Sequence, residues 1–107
     1  MVVINSSIES EGVAEGVERK ILASSGKLMT VEVTFKKGAI GALHSHPHEQ
    51  ISYITKGRFE FEIDGKKYML IAGDSYYVQP DVVHGIKALE DSVILDVFTP
   101  QREDFLK

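Results

Sequence analysis

Four residues in the middle of the chain have the side chains and the spacing of a metal site. His44 and His46 stand two apart, so on an extended strand both imidazoles leave the same face. Gln50 keeps that parity and offers an amide oxygen, and His84 can return across a barrel to join them. His48 lies past a proline and is predicted to be a loop residue near the mouth. Three neutral imidazoles and one oxygen suit one divalent transition metal, with zinc or nickel favoured and iron, manganese or cobalt as alternatives.

A second group of residues lies near the end of the chain. Asp96 interrupts the apolar run 94–98, where an unpaired carboxylate would be costly to bury. Phe98 shares its face, and Arg102 follows in a position to fold over the mouth of a barrel and grip a carboxylate with two hydrogen bonds. The residues alone leave two interpretations of Asp96 open. It is either a structural hydrogen-bonding group or a general acid or base that faces the metal.

The elements that must position these groups are predicted to be β-strands. Glycine turn signals recur at short intervals with strand-like runs between them, which favours an all-β sandwich or barrel. The hairpin 58–71 has the clearest pattern, because apolar and acidic residues alternate up to the two-residue turn signal Asp64-Gly65. Eight or nine short strands are expected, including 17–24, 29–35, 50–55, 58–63, 67–71, 75–78, 84–88 and 93–99. Helix is expected only as one short turn at 102–106.

The size and composition describe one ordinary globular domain, residues 1–107. Its barrel core is assigned to about residues 28–99, with 1–27 as an N-terminal strand and dimer arm and 100–107 as a C-terminal tail. The net charge of −4 comes without a basic stripe, so no nucleic-acid partner is expected. The lack of cysteine excludes disulfides and thiolate metal ligands.

The sequence also predicts no contact with a membrane. It contains no run of about 18 apolar residues that could span a bilayer. The first seven residues lack the charged lead and the apolar stretch of a signal peptide. The expected location is the cytoplasm.

The spacing of glycine, histidine and glutamine resembles the two sequence motifs of the cupin superfamily. Gly38 precedes His44 by six positions, Gly57 follows Gln50 by seven, and Gly73 precedes His84 by eleven. The resemblance covers roughly residues 30–98 and implies a single-domain jelly-roll β-barrel with a metal in its interior. Cupins usually carry Glu at the position of Gln50, so the chain departs from the general pattern there.

A narrower resemblance explains that departure. The segment His44-Ser-His-Pro-His-Glu-Gln-Ile-Ser-Tyr53 and the ending Asp96-Val-Phe-Thr-Pro-Gln-Arg-Glu-Asp-Phe-Leu106 look like the KdgF family of cupins. Those bacterial proteins of pectin and alginate catabolism linearise 4,5-unsaturated monouronates, so the resemblance implies a small anionic sugar-acid substrate. It also implies a metal held by His44, His46, Gln50 and His84, with Asp96, Phe98 and Arg102 completing the catalytic site.

Two other functions remain open at this point. One is a metal-dependent cupin dioxygenase or isomerase that acts on a small acid, and the other is a non-catalytic cupin that binds a sugar acid. A lone small barrel also has exposed strand edges to cover. A homodimer is therefore expected, with residues 1–25 as its contact.

Overall fold

A computed structural model describes residues 1–106, and these fold into ten β-strands and two short 3-10 helices. The strands are β1 (Glu11–Ala14), β2 (Val17–Ser25), β3 (Leu28–Phe35), β4 (Ile40–His44), β5 (Glu49–Lys56), β6 (Arg58–Ile63), β7 (Lys66–Ile71), β8 (Ser75–Val78), β9 (His84–Ala88) and β10 (Ser92–Thr99). The helices are Asn5–Ser7 and Glu103–Leu106, the second of which matches the predicted turn in the tail. The last residue of that tail, Lys107, lies outside the described residues. The predicted all-β class is confirmed.

The strands form two antiparallel sheets packed as a jelly-roll sandwich. The six-stranded sheet has the order β1-β2-β3-β10-β5-β8, and the four-stranded sheet has the order β4-β9-β6-β7. Strands that are distant in sequence are therefore neighbours, because β10 inserts between β3 and β5. This order places the segment with the first two histidines opposite the segment with Asp96.

Local sequence accounts for two tight connections in the fold. The β6–β7 hairpin turns through Asp64 and Gly65, whose φ values of 49° and 78° are those that a type I′ turn requires at both central positions. Gly57 joins β5 to β6 at a φ of 86°, and a Cβ there would collide with Ser92. Glycine is therefore required at residue 57 both for its backbone conformation and for the close approach.

Two strands were missing from the sequence prediction. β1 is exposed along its whole length, and β4 is exposed except at Gly41, so neither shows the alternation that marks a half-buried strand. Both are held by pairing with a neighbour, β1 with β2 and β4 with β9.

The interior has an apolar half built from both sheets. Phe35 of the six-stranded sheet meets Phe59 of the four-stranded sheet edge to face, with ring centres 5.2 Å apart at an interplanar angle of 86°. These rings belong to one buried cluster: Val17, Phe35, Ile54, Phe59, Ala88 and Ile94. A smaller cluster of Met29, Val31 and Phe98 lies further along β3 and β10. Within residues 1–106, no helix has the length and hydropathy that crossing a membrane would require.

Candidate metal centre and active site

Three imidazoles converge between the two sheets. His44 ends β4 and is paired directly with His84, the first residue of β9. The expectation that His46 shares a strand with His44 is wrong, because β4 ends at His44 and His46 lies in the loop before β5. The loop still brings the ring of His46 to 5.5 Å from that of His44 and 4.9 Å from that of His84, measured between ring centres. One nitrogen from each ring lies within 4.8 Å of the other two.

Backbone carbonyls fix the orientation of all three rings. In each ring, Nδ1 lies 2.9–3.1 Å from a carbonyl oxygen two residues away along the chain. Because a carbonyl oxygen only accepts, Nδ1 carries the proton and Nε2 keeps its lone pair. Burial lowers the pKa of His46 and lowers that of His84 to about 4, so both rings are neutral at pH 7. A neutral imidazole with a free Nε2 is the form of histidine that binds a metal.

Gln50 brings an amide oxygen to the three imidazoles from the opposite sheet. It is buried on β5, and its Oε1 lies 2.9 Å from Nε2 of His46. With the proton of His46 on Nδ1, two lone pairs face each other across that contact, which a neutral pair would not favour. Nε2 of His84 is also buried, without a hydrogen-bond partner among residues 1–106. A divalent cation would satisfy both atoms, so the residues present fit the metal that three imidazoles and one oxygen bind.

Asp96 lies beside this site in a row of polar residues that crosses three strands. Asp96 of β10 is paired with Ser52 of β5, which is paired with Tyr76 of β8. The Ser52 hydroxyl donates a hydrogen bond of 2.6 Å to Oδ1 of Asp96. Burial raises the pKa of Asp96 to about 6, although Ser52, Arg102 and Gln50 all favour its charged form. The carboxyl group can therefore gain and lose a proton near neutral pH.

The C-terminal tail brings an arginine to the same place. Arg102 is buried, and its guanidinium carbon lies 5.1 Å from the ring centre of Phe98 and 4.2 Å from that of Phe105. Asp104 accepts hydrogen bonds from its Nε and Nη2 at 3.1 and 2.9 Å, and this ion pair lowers the pKa of Asp104. The second terminal nitrogen, Nη1, makes neither of these bonds, which leaves it free to donate to a ligand.

Most of these groups line one cavity of about 160 Å³. Its polar lining includes His44, Gln50, His84, Asp96 and Arg102. Its apolar end is lined by Val17, Phe35 and Ile94, which belong to the buried cluster around Phe35, called here the Phe35 cluster. Part of its wall comes from Val13 and Arg19 on the N-terminal strands β1 and β2, and the guanidinium of Arg19 lies 3.8 Å from the ring centre of Phe105. The N-terminal region, predicted as a dimer arm, thus contributes to the cavity of its own chain.

The structure brings together every residue that the sequence singled out for the site, and it adds others. His48 is outside the converging group of imidazoles, half-buried in the loop before β5, with its ring centre 6.4 Å from that of Phe98. The residues not singled out are Arg19, Ser52, Tyr76, Asp104 and Phe105. Ser52 carried a usable signal, since it shares the strand and the parity of Gln50. The contact between Arg19 and Phe105 carried none, because the two residues come from opposite ends of the chain.

Comparison with known proteins agrees with this geometry. Residues 31–98 match the family model described as the cupin domain. The chain belongs to the cupin family, and its relatives below place it among the KdgF-like members of that family. Over 98 residues it is 46% identical to the pectin degradation protein KdgF of Dickeya dadantii (strain 3937), which covers 90% of this chain and 89% of that protein. The predicted resemblance is thereby confirmed.

Solved structures give the same result. The structure of KdgF from Halomonas sp. superposes with a TM-score of 0.94 at 40% identity, covering 98% of this chain and 97% of that one. An RmlC-like cupin from Shewanella frigidimarina NCIMB 400 superposes with a TM-score of 0.94 at 38% identity, covering 97% of this chain and 94% of that one. The similarity to KdgF therefore extends over nearly the whole chain.

Proposed function

We propose that this cupin is a metal-dependent enzyme that opens the ring of 4,5-unsaturated monouronates from pectin or alginate and releases acyclic keto-uronates. One observation carries the proposal: a metal-binding group, a carboxyl group with a pKa of about 6 and a buried arginine share one small cavity. The similarity to KdgF supports the same substrate class, because the relative from Dickeya dadantii is named for pectin degradation.

The substrate is a cyclic enol ether with a carboxylate on C5. In the proposed reaction, Asp96 in its protonated form gives a proton to C4, which leaves positive charge shared between C5 and the ring oxygen. Water then adds to C5 and returns a proton to Asp96, so the carboxyl group is regenerated. In the resulting hemiketal the new C5 hydroxyl loses its proton and the ring oxygen gains one as the bond between C5 and the ring oxygen breaks. This gives a ketone at C5 and leaves a hydroxyl on C1. A metal held by the three histidines and Gln50 would supply Lewis-acid chemistry toward substrate oxygens.

The other residues of the cavity hold the substrate in place for that transfer. Arg102 offers its free terminal nitrogen to the substrate carboxylate, which orients C4 and C5 toward Asp96. Phe98 forms the adjoining wall and limits the access of bulk water, since its ring packs against both Arg102 and Phe105. The apolar far end of the cavity limits the length of the molecule that can enter, which favours a monomer over a polymer.

The proposal is tested by incubating the purified protein with an unsaturated uronate monomer released by a pectin or alginate lyase. Loss of the enol-ether absorbance is followed under nitrogen, with and without a chelator. The expected result is a loss that needs the metal but not oxygen. A loss that stops without oxygen would instead indicate the dioxygenase. Tight binding of the uronate without any loss would indicate the non-catalytic sugar-acid-binding cupin.

We further propose that the protein is a homodimer in which residues 1–25 make the contact. β1 is the outer strand of the six-stranded sheet and is exposed along its length, so its free edge is available for pairing. Met1, Val2 and Ile4, which precede it in the chain, are exposed apolar side chains. Light scattering after size exclusion should give twice the chain mass, and a monomer at micromolar concentration would contradict this proposal.

A further inference from the structure

Ser52 lies between the metal-binding group and the carboxyl group, where it contacts both. Its side chain is fully buried. Its hydroxyl oxygen accepts a hydrogen bond of 2.8 Å from Nε2 of Gln50 and its proton is donated to Oδ1 of Asp96 at 2.6 Å. Tyr76, paired with Ser52 on the neighbouring strand β8, is the next residue in the same cross-strand row. The mechanism above uses Gln50 and Asp96 but leaves this buried hydroxyl without a role.

The direction of these hydrogen bonds follows from the number of protons. A serine hydroxyl has one proton and two lone pairs, whereas the amide nitrogen of Gln50 can only donate. The single proton of Ser52 goes to Asp96, so its oxygen must accept from Gln50. The second amide proton of Gln50 also points to Oδ1 of Asp96, at 3.4 Å. The amide nitrogen thus faces Ser52 and Asp96, and the amide oxygen must face the imidazoles.

We infer that Ser52 is a positioning residue that fixes the orientation of two side chains at once. It holds Gln50 with its amide oxygen toward the three histidines. It also holds Asp96 so that only Oδ2 is free for the substrate. The inference rests on the proposed function for the role of Asp96 in turnover. The part of the inference that concerns Gln50 applies to metal binding alone and does not depend on the substrate.

The same arrangement explains why residue 50 is glutamine. A glutamate there would bring a second carboxylate beside Asp96 and would remove both amide protons. Ser52 would then have one proton for two carboxylates, and the two like charges would repel each other. An amide avoids this conflict because it offers an oxygen to the metal side and two donors to the Asp96 side. The neutral ligand is thus required by the carboxyl group next to it.

The first test is Ser52→Ala, with Ser52→Thr as the variant that keeps the hydroxyl. Affinity of the metal-free protein for zinc is measured by competition with a chromogenic chelator, and turnover of the uronate is measured on zinc-loaded protein. Ser52→Ala should lower zinc affinity about tenfold and kcat about tenfold or more, with KM within about twofold of wild type. Ser52→Thr should restore both. An alanine variant with wild-type zinc affinity or wild-type kcat would overturn the inference, and so would a threonine variant as impaired as the alanine one.

A second variant, Gln50→Glu, keeps Ser52 intact, removes the amide donors and adds a second carboxylate beside Asp96. Zinc affinity should not fall, because a carboxylate is the stronger ligand, whereas kcat should fall at least about tenfold. A kcat within twofold of wild type would overturn the inference. If wild-type protein did not turn over any uronate, the proposed function would fail, and the zinc affinity of Ser52→Ala would still decide whether Ser52 positions Gln50.

Discussion

The two ends of the interior differ in chemistry although the same strands build both. On β5 the inward-facing residues change from Gln50 and Ser52 to Ile54, and on β10 they change from Asp96 to Ile94. Along these stretches the interior changes from a polar end, where the candidate metal-binding residues converge, to an apolar end, where the Phe35 cluster packs. Because the strands are continuous, the packed end fixes the position of the polar end.

The difference shows which end stabilises the fold and which end costs stability. Burial of the apolar cluster contributes favourable free energy in proportion to the area removed from water. At the polar end, burial raises the pKa of Asp96 to about 6 and lowers that of His84 to about 4, so the fold opposes the charge on both groups. Such opposition is typical of functional sites, where reactivity is gained at the expense of stability.

The largest effect is expected from removing one metal ligand at the polar end. His84→Ala should lose the metal and all metal-dependent turnover, because Nε2 of this residue is one of the three converging nitrogens. Metal content per chain is measured after dialysis by elemental analysis. His48→Ala is the matched control, since His48 lies outside the converging group, and it should keep the metal. Full metal occupancy in His84→Ala would show that His84 is not a ligand.

At the apolar end, Phe59→Ala should destabilise the protein by about 3–5 kcal/mol, because it removes a fully buried ring from the centre of the cluster. Metal content per folded molecule should not change. Denaturant unfolding gives the free energy, with Met69→Ala as the control at an exposed position. A loss below about 1 kcal/mol would contradict the assignment of this cluster as the stabilising end.

At the mouth of the polar end, Arg102→Ala should raise KM for the uronate about tenfold and change kcat less, because the proposed role of the arginine is to bind the substrate carboxylate. Steady-state kinetics on metal-loaded protein measures both constants. Arg58→Ala, at an exposed arginine on β6, is the control and should behave as wild type. An unchanged KM in Arg102→Ala would remove this residue from substrate binding.

The smallest effect concerns the stability cost of Asp96. Its pKa is raised from 3.8 to about 6 on folding, so the folded state binds more protons than the unfolded state between these values and loses stability as pH rises through them. Metal-free Asp96→Asn should therefore be more stable than metal-free wild type at pH 7, by about 1–3 kcal/mol. The difference should vanish below about pH 4. The lowered pKa of His84 acts in the opposite sense, but it is common to both proteins and cancels. Equal stability at pH 7 would contradict a buried, proton-binding Asp96.

The sequence predicted those parts of the molecule whose signals are local. β6, β8 and β9 lie where they were expected, and the hairpin turn at Asp64-Gly65 has the predicted geometry. β1 and β4 were missed because their side chains do not alternate in burial and their position depends on pairing with other strands. Alternation is the main signal by which a single sequence marks a half-buried strand, and these two strands lack it.

The candidate site shows the same limit. His44 and His46 were found through their short spacing, although the reason given was wrong, since a loop rather than a shared strand brings them together. The row from Asp96 through Ser52 to Tyr76 depends on the register between three strands, which the sequence does not specify. Contacts such as that of Arg19 with Phe105 depend on how the two ends of the chain meet.

The most direct test of this account is to measure turnover and metal content of Asp96→Asn in the same sample. The isosteric amide keeps an oxygen that accepts from Ser52 but cannot deliver a proton as an acid. The account predicts full metal occupancy with kcat reduced by about a hundredfold or more. Turnover close to wild type would contradict the role of Asp96 as the proton donor, and with it the proposal that the polar end combines a metal with a separate acid.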